Sequence, residues 1–274
     1  MKIVDAWMQH PTLEFLHQPE FASLRRWMGD SMPSKEIPPQ ATVASMDAGG
    51  VGFGLLSAWW GPRGPILGND FVHGIVERFP DRFAGVAAVD LETPMASVRE
   101  LRRCVQELGF KALRIVQWLW RLPPTDRLYY PLFAECVHLG VPVCLQVGHT
   151  GPLRPSETGR PIPYIDQVAI DFPELTLVCG HIGYPWTQEM IAVATKHENV
   201  YIDTSAYTPE RYPPELVSFL KAHGRRKVLF GTNYPMIPHA RCATGLSGLG
   251  LTDDGAELFL SANARRVFAL DGES

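Results

Sequence analysis

The sequence has no stretch approaching the roughly 20 consecutive apolar residues that a membrane-spanning helix needs, so no span is expected. It has no basic run longer than Arg225 to Lys227, and its formal net charge is -4. That combination excludes the positive footprint of a nucleic-acid binder. Paired cysteines are absent too. The five cysteines, at 104, 136, 144, 179 and 242, are scattered, odd in number and without CxxC spacing. They read as reduced, buried thiols, with Cys144 and Cys179 packing inside strand-like runs. No leader pattern opens the chain, and the expected location is cytoplasmic. No GxGxxG follows the first strand, which weighs against a doubly wound nucleotide-binding sheet.

What is present is an ordinary core-forming composition: 274 residues, 46% hydrophobic and 20% charged. Eight short apolar runs recur, at Ile3–Ala6, Gly52–Ala58, Phe83–Val89, Ala112–Gln117, Val141–Val147, Leu175–Cys179, Val200–Asp203 and Val228–Phe230. Most do not alternate with polar residues, as strands buried on both faces should not. Helix-period segments lie between them: Met95–Leu108, Leu132–Leu139, Ile165–Asp171, Trp186–His197, Pro214–His223 and Ala256–Phe268. Thr93 and Pro94 start the first of these, as N-cap and first helical residue. Eight strands alternating with helices predict a single (β/α)8 barrel over residues 1–274. The stretch at about 10–40 fits no strand and reads as an insertion over the barrel mouth; the Pro/Gly-rich loop after strand five is a second mouth segment.

Chemistry in such barrels sits at the C-terminal strand ends. Those ends carry Trp7, Gln9 and His10; Trp59 and Trp60; Asp90; Gln117, Trp118 and Trp120; His149; His181; Asp203 and Thr204; and Thr232, Asn233 and Tyr234. Six of the seven tryptophans follow strand ends. Flat apolar surface gathered at one mouth suits a cyclic or aromatic ligand. His149 and His181 end neighbouring strands and can act as an acid/base pair or as metal ligands. The other histidines, apart from His10, read as surface groups. Arg114, inside strand four, either pairs with Asp203 or grips a substrate carboxylate.

The segments "VPVCLQVGHTG", "FPELTLVCGHIGYPW", "NVYIDTSAY", "VLFGTNYPMIP" and "NARRVFAL" resemble, in order and over nearly the whole chain, the amidohydrolase-related branch of the amidohydrolase superfamily, which includes the aminocarboxymuconate-semialdehyde decarboxylase type. The resemblance implies one divalent metal, usually zinc, held by HxH after strand one, histidines after strands five and six, and Asp after strand eight. These positions fall here on Trp7 and Gln9, His149, His181 and Asn233. An indole offers no lone pair and the amides are weak neutral ligands. The expectation is therefore no favoured cofactor, with His149 and His181 as ligands only if a metal such as zinc binds.

Three functions follow as expectations. The first is a hydrolase or carbon–carbon lyase acting on a small cyclic or aromatic carboxylic acid, by lactone hydrolysis or non-oxidative decarboxylation. In it His149, His181 and Asn233 are catalytic, while Trp7, Gln9, His10, Trp59, Arg114, Trp118, Asp203 and Tyr234 surround the substrate. The second is a zinc hydrolase with atypical ligands; the third is a silent ligand-binding barrel. The partner expected is a small molecule, not nucleic acid or membrane, with a homo-oligomer implied by analogy.

Overall fold

A computed structural model describes residues 2–28 and 35–271. Residues 29–34 of the expected mouth insertion, and the chain ends at 1 and 272–274, lie outside the described residues. Ten strands follow in chain order: β1 (Ile3–Met8), β2 (Val51–Ser57), β3 (Trp59–Gly61), β4 (Gly64–Leu67), β5 (Phe83–Ala87), β6 (Ala112–Ile115), β7 (Val143–Gln146), β8 (Leu177–Gly180), β9 (Val200–Asp203) and β10 (Val228–Leu229). Eight of them form one sheet, ordered β1-β2-β5-β6-β7-β8-β9-β10 and parallel throughout. The ring closes where the Ala6 amide donates to the Phe230 carbonyl at 2.9 Å and the Asn233 amide donates to the Trp7 carbonyl at 2.8 Å. The expected (β/α)8 barrel is the fold.

The absence of alternation in the strands follows from burial on both faces. Inward-facing Val4, Ala6, Leu55, Val86, Ala112 and Cys144 pack on one another with Val178 and Leu229, and Ala264 and Phe268 of the last helix join them. Outward-facing Leu56, Leu113, Val143, Leu177 and Ile202 pack with helix residues such as Leu101, Phe133, Met190 and Leu216. Trp7 is the largest side chain in this inward cluster. A Cβ on Gly180 would lie 2.6 Å from the Trp7 ring, so β8 is bare where that ring lies.

The helical segments form close to their expected bounds, as Pro94–Gln106, Tyr130–Leu139, Asp166–Asp171, Thr187–Lys196 and Pro214–Lys221. Thr93 occupies the N-cap position, but its hydroxyl donates to Asp90 Oδ2 at 3.2 Å rather than capping the helix. The closing helix is interrupted by a π-type turn at Leu258–Ala262. No helix among the described residues is long and apolar enough to cross a membrane.

Two mouth features differ from expectation. β6 stops at Ile115, and Gln117–Trp120 winds into a short helical turn ended by left-handed Arg121. After β2 the chain makes an antiparallel hairpin, β3 with β4, where prolines 62 and 65 weaken any strand pattern in the sequence. The insertion forms short helices at Leu13–Leu16, Pro19–Phe21 and Ala22–Met28. It is tied to the two other mouth segments. Buried Glu20 meets Arg154 at 2.6 Å and Arg63 at 3.3 Å, and the Ser23 hydroxyl donates to the Gly151 carbonyl at 2.6 Å.

Candidate active site

A cavity of about 510 Å³ opens at the C-terminal strand ends. Its walls are aromatic. Trp59 and Trp118 meet edge to face with centroids 6.0 Å apart, and Phe15 of the insertion lies 5.0 Å from Trp59. Phe21 adds a fourth ring 5.0 Å from Phe15. Such edge-to-face sets hold their planes in place. The indole donors are also occupied: Trp59 Nε1 donates to Gln9 Oε1 at 3.3 Å, and Trp118 Nε1 to Gln146 Oε1 at 2.7 Å.

Five polar side chains come from four strand ends. Gln9 follows β1, Gln146 ends β7, and His149, His181 and Asn233 follow β7, β8 and β10; all line the cavity. Gln9 binds its neighbours on every side. Its Nε2 donates to Asn233 Oδ1 at 3.3 Å and to the Tyr234 carbonyl, and its Oε1 also accepts from Arg114 Nη1 at 3.4 Å. Asn233 adopts a left-handed backbone, φ 64, which Asn tolerates better than most residues.

His181 is also left-handed, φ 77, and only 7% exposed. Its Nδ1 lies 2.7 Å from the Ser205 hydroxyl, whose amide donates to Asp203 Oδ1 at 2.8 Å. Burial, then the nearby Arg114 and His149, pull the His181 pKa down to about 3. The ring is therefore neutral at physiological pH, offering one donor and one acceptor nitrogen. His149 is exposed at the open side of the same cavity.

Arg114 lies beneath the cavity, 1% exposed, with its guanidinium carbon 3.7 Å from the Trp7 ring centroid. Desolvation lowers its pKa to about 10, so it keeps its charge at neutral pH. The expected pairing with Asp203 does not form: no carboxylate lies within 4.0 Å of Arg114 among the described residues, and the indole face and Gln9 take that role. Asp203 is fully buried, with Oδ2 unpartnered, and burial raises its pKa to about 7.

Of the residues expected around a substrate, Gln9, Trp59 and Trp118 reach the cavity wall with His149, His181 and Asn233. Trp7, Arg114 and Asp203 do not; they form the layer below. Tyr234 contributes a carbonyl to Gln9, while its ring stacks on His239 at 4.6 Å. His10 faces away. Its Nε2 donates to the Ile37 carbonyl at 2.9 Å, which leaves Nδ1 to accept from Thr42 Oγ1 at 2.8 Å. Both ring nitrogens are spent, and burial lowers its pKa. His239, expected at the surface, is fully buried: Nδ1 lies 2.9 Å from the Ser45 hydroxyl and Nε2 lies 3.3 Å from Asp5 Oδ2.

Sequence reading missed Gln146, Tyr207, Arg211 and the two insertion phenylalanines. Gln146 had a signal, since it lies two residues beyond inward-facing Cys144 on the same strand. Arg211 and the phenylalanines had none, because they stand on mouth segments far from any strand end.

The family model of the amidohydrolases matches residues 10–270. The chain is 27% identical over 244 residues to a 2-keto-4-carboxy-3-hexenedioate hydratase of a Sphingobium species, covering 73% of this chain and 70% of that one. It is 26% identical over 254 residues to a gamma-resorcylate decarboxylase of Rhodococcus jostii, covering 74% and 75%. Among solved structures, an uncharacterized TIM-barrel protein of Bordetella bronchiseptica superposes with a TM-score of 0.83 at 26% identity, covering all of both chains. A dihydroxybenzoic acid decarboxylase of a Polaromonas species superposes with a TM-score of 0.73 at 19% identity, covering 99% of this chain and 98% of that one; it holds manganese and 2-nitroresorcinol. That bound manganese corrects the expectation that no cofactor is favoured: a divalent metal belongs among the cofactors of barrels of this shape. In this chain the imidazoles open to one are His149 and His181. Among the described residues no three His, Cys, Asp or Glu converge as a metal group. The other polar groups beside them are the amides Gln9 and Asn233, so the donor set does not fit a tightly held ion, and no chemical step is assigned to one.

Proposed function

Because the chain belongs to the amidohydrolase family, we propose that its cavity takes up a small aromatic or cyclic carboxylic acid and removes a carboxyl group without oxidation. The observation that carries this reading is the make-up of the cavity. Indole and phenyl faces form the walls, two imidazoles and three side-chain amides supply the polar groups at the strand ends, and no carboxylate lines it among the described residues. An apolar ring fits against the wall that Trp59 and Trp118 form together. An anion fits beside His181, with the buried Arg114 charge below Gln9 making the floor positive. A decarboxylase and a hydratase among the relatives support the class of chemistry.

The residues divide the work as follows. His149, open to solvent, carries a proton to the ring carbon bearing the carboxylate; a ring π pair forms the new C–H bond. The C–C bond then breaks, its electron pair restores the ring, and CO2 leaves. His181, kept neutral and held through Ser205, orients the substrate by hydrogen bonds. Asn233, held by Gln9, hydrogen-bonds the substrate carboxylate until CO2 leaves. The whole chain works as one barrel unit with its insertion as the cavity roof. We take it as a homo-oligomer of a reducing compartment, in keeping with its free, buried cysteines; light scattering tests the assembly.

The test is a panel of hydroxybenzoates and related cyclic acids incubated in D2O, with manganese supplied. Turnover releases CO2 and places deuterium on the carbon that lost it. Binding without CO2 release across the panel overturns the reading in favour of a ligand-binding barrel.

A further inference from the structure

The cavity rim carries a cation that the proposed chemistry does not use. Arg211 ends the turn Pro209–Arg211, eight residues beyond β9, and lines the cavity. Its side chain is exposed, yet its backbone is held firmly. The Arg211 amide donates to the Thr208 carbonyl at 2.8 Å, and Pro209 and Tyr212 on either side are buried. The loop behind it is the one that orients His181, running from Asp203 through Ser205 and left-handed Ala206 to Tyr207. Tyr207, half-buried, also lines the cavity.

Other arginines at the mouth have an acidic partner. Arg63 and Arg154 share Glu20, and Arg160 pairs with Glu189 at 2.7 Å. Arg211 has no acidic partner among the described residues. Its neighbour Glu210 points elsewhere, toward Gly245, where an added Cβ would collide with its carboxylate. A guanidinium carried on a firmly held backbone at the edge of an aromatic cavity without acids is a ready fork for a carboxylate. The reacting carboxylate, however, belongs with the histidines.

We propose that Arg211 reads a second anionic group, so that the acid taken up is a dicarboxylate: one carboxylate beside His149 and His181, the other at the Arg211 rim, with the ring between. This rests on the reading of the cavity as the site of an aromatic or cyclic acid, and it narrows that class.

The experiment uses the full chain and four probes, benzoate and benzene-1,2-, 1,3- and 1,4-dicarboxylate, with binding followed by calorimetry. At least one dicarboxylate should bind tenfold or more tighter than benzoate. Arg211→Gln should weaken that dicarboxylate about 10- to 100-fold, the loss of a charge-assisted contact, and weaken benzoate much less. Arg211→Lys, which keeps the charge but not the fork, should fall between. Equal affinity of benzoate and the best dicarboxylate, an equal loss of both in Arg211→Gln, or no binding of any probe overturns the proposal. Arg211-dependent dicarboxylate binding without CO2 release from any acid would leave it standing and sink the decarboxylase reading. CO2 release from monocarboxylic acids with no Arg211 dependence would do the reverse.

Discussion

Replacing Asp203 by Asn should change the pH dependence of stability in a way that only a buried, strained carboxyl can. Asp203 has no exposed surface, one unpartnered oxygen, and a pKa raised by burial from 3.8 to about 7. Between those values the native state holds a proton that the unfolded state has lost, so wild-type stability falls as pH rises through that window and is constant above it. The full displacement corresponds to a cost on the order of 4 kcal/mol. His181 acts oppositely. Its pKa drops from 6.5 to about 3, so the unfolded state holds the extra proton and stability rises with pH over that range. The two nearly cancel in the wild type, and the difference between variant and wild type is the informative quantity. Asn keeps an oxygen for the Ser205 amide but places an unpartnered NH2 where Oδ2 was, costing about 1–3 kcal/mol. D203N should therefore be less stable than wild type near pH 4 and more stable by about 1–3 kcal/mol above pH 7, the two curves crossing between. Urea unfolding followed by tryptophan fluorescence at pH 4, 5.5, 7 and 8 reads the difference. A constant difference across that range would refute the placement of Asp203 as a burdened acid.

Other outcomes follow from the same geometry. His149→Gln should lower kcat by about 10²- to 10⁴-fold with a much smaller effect on KM, measured as CO2 release; an equal loss through KM alone would make His149 a binding group. Ser205→Ala frees the His181 ring that its hydroxyl holds at 2.7 Å, and should lower kcat about tenfold while thermal unfolding stays near wild type. Trp7→Ala empties the largest side chain of the inner barrel and strips Arg114 of the indole 3.7 Å from it. A loss of about 3–5 kcal/mol in denaturant unfolding is expected, and a loss under 1 kcal/mol would contradict the stacked arrangement. Gly180→Ala places its new methyl within 2.6 Å of that same ring and should cost about 1–3 kcal/mol.

The barrel was legible in the chain because its strands are buried on both faces. β9 coincides with the expected Val200–Asp203, and the other barrel strands fall within two or three residues of the expected ends. Parallel order and strand-end chemistry then placed Gln9, His149, His181 and Asn233 on one rim. Trp59 and Trp118 followed, since each stands just past a strand. These positions are fixed by local pattern: apolar period, strand length and the offset from a strand end.

What tertiary structure decided is which of these side chains face the cavity and which support it. Trp7 in β1 and Gln9 just past it are two residues apart, yet one fills the barrel and the other lines the site, because Gly180 leaves room for an indole below and Arg114 needs a face to stack on. His10, one residue further, is drawn off by Thr42 and Ile37 on a segment 30 residues away. Arg114 could have met Asp203 or a substrate; it meets an indole and an amide instead. Arg211, Phe15 and Phe21 reach the site only because long loops fold back over the mouth. Local sequence sets the direction of a strand and the alternation of its side chains. The partner that each buried polar group finds depends on contacts between residues distant in the chain, and only the closed barrel brings those together.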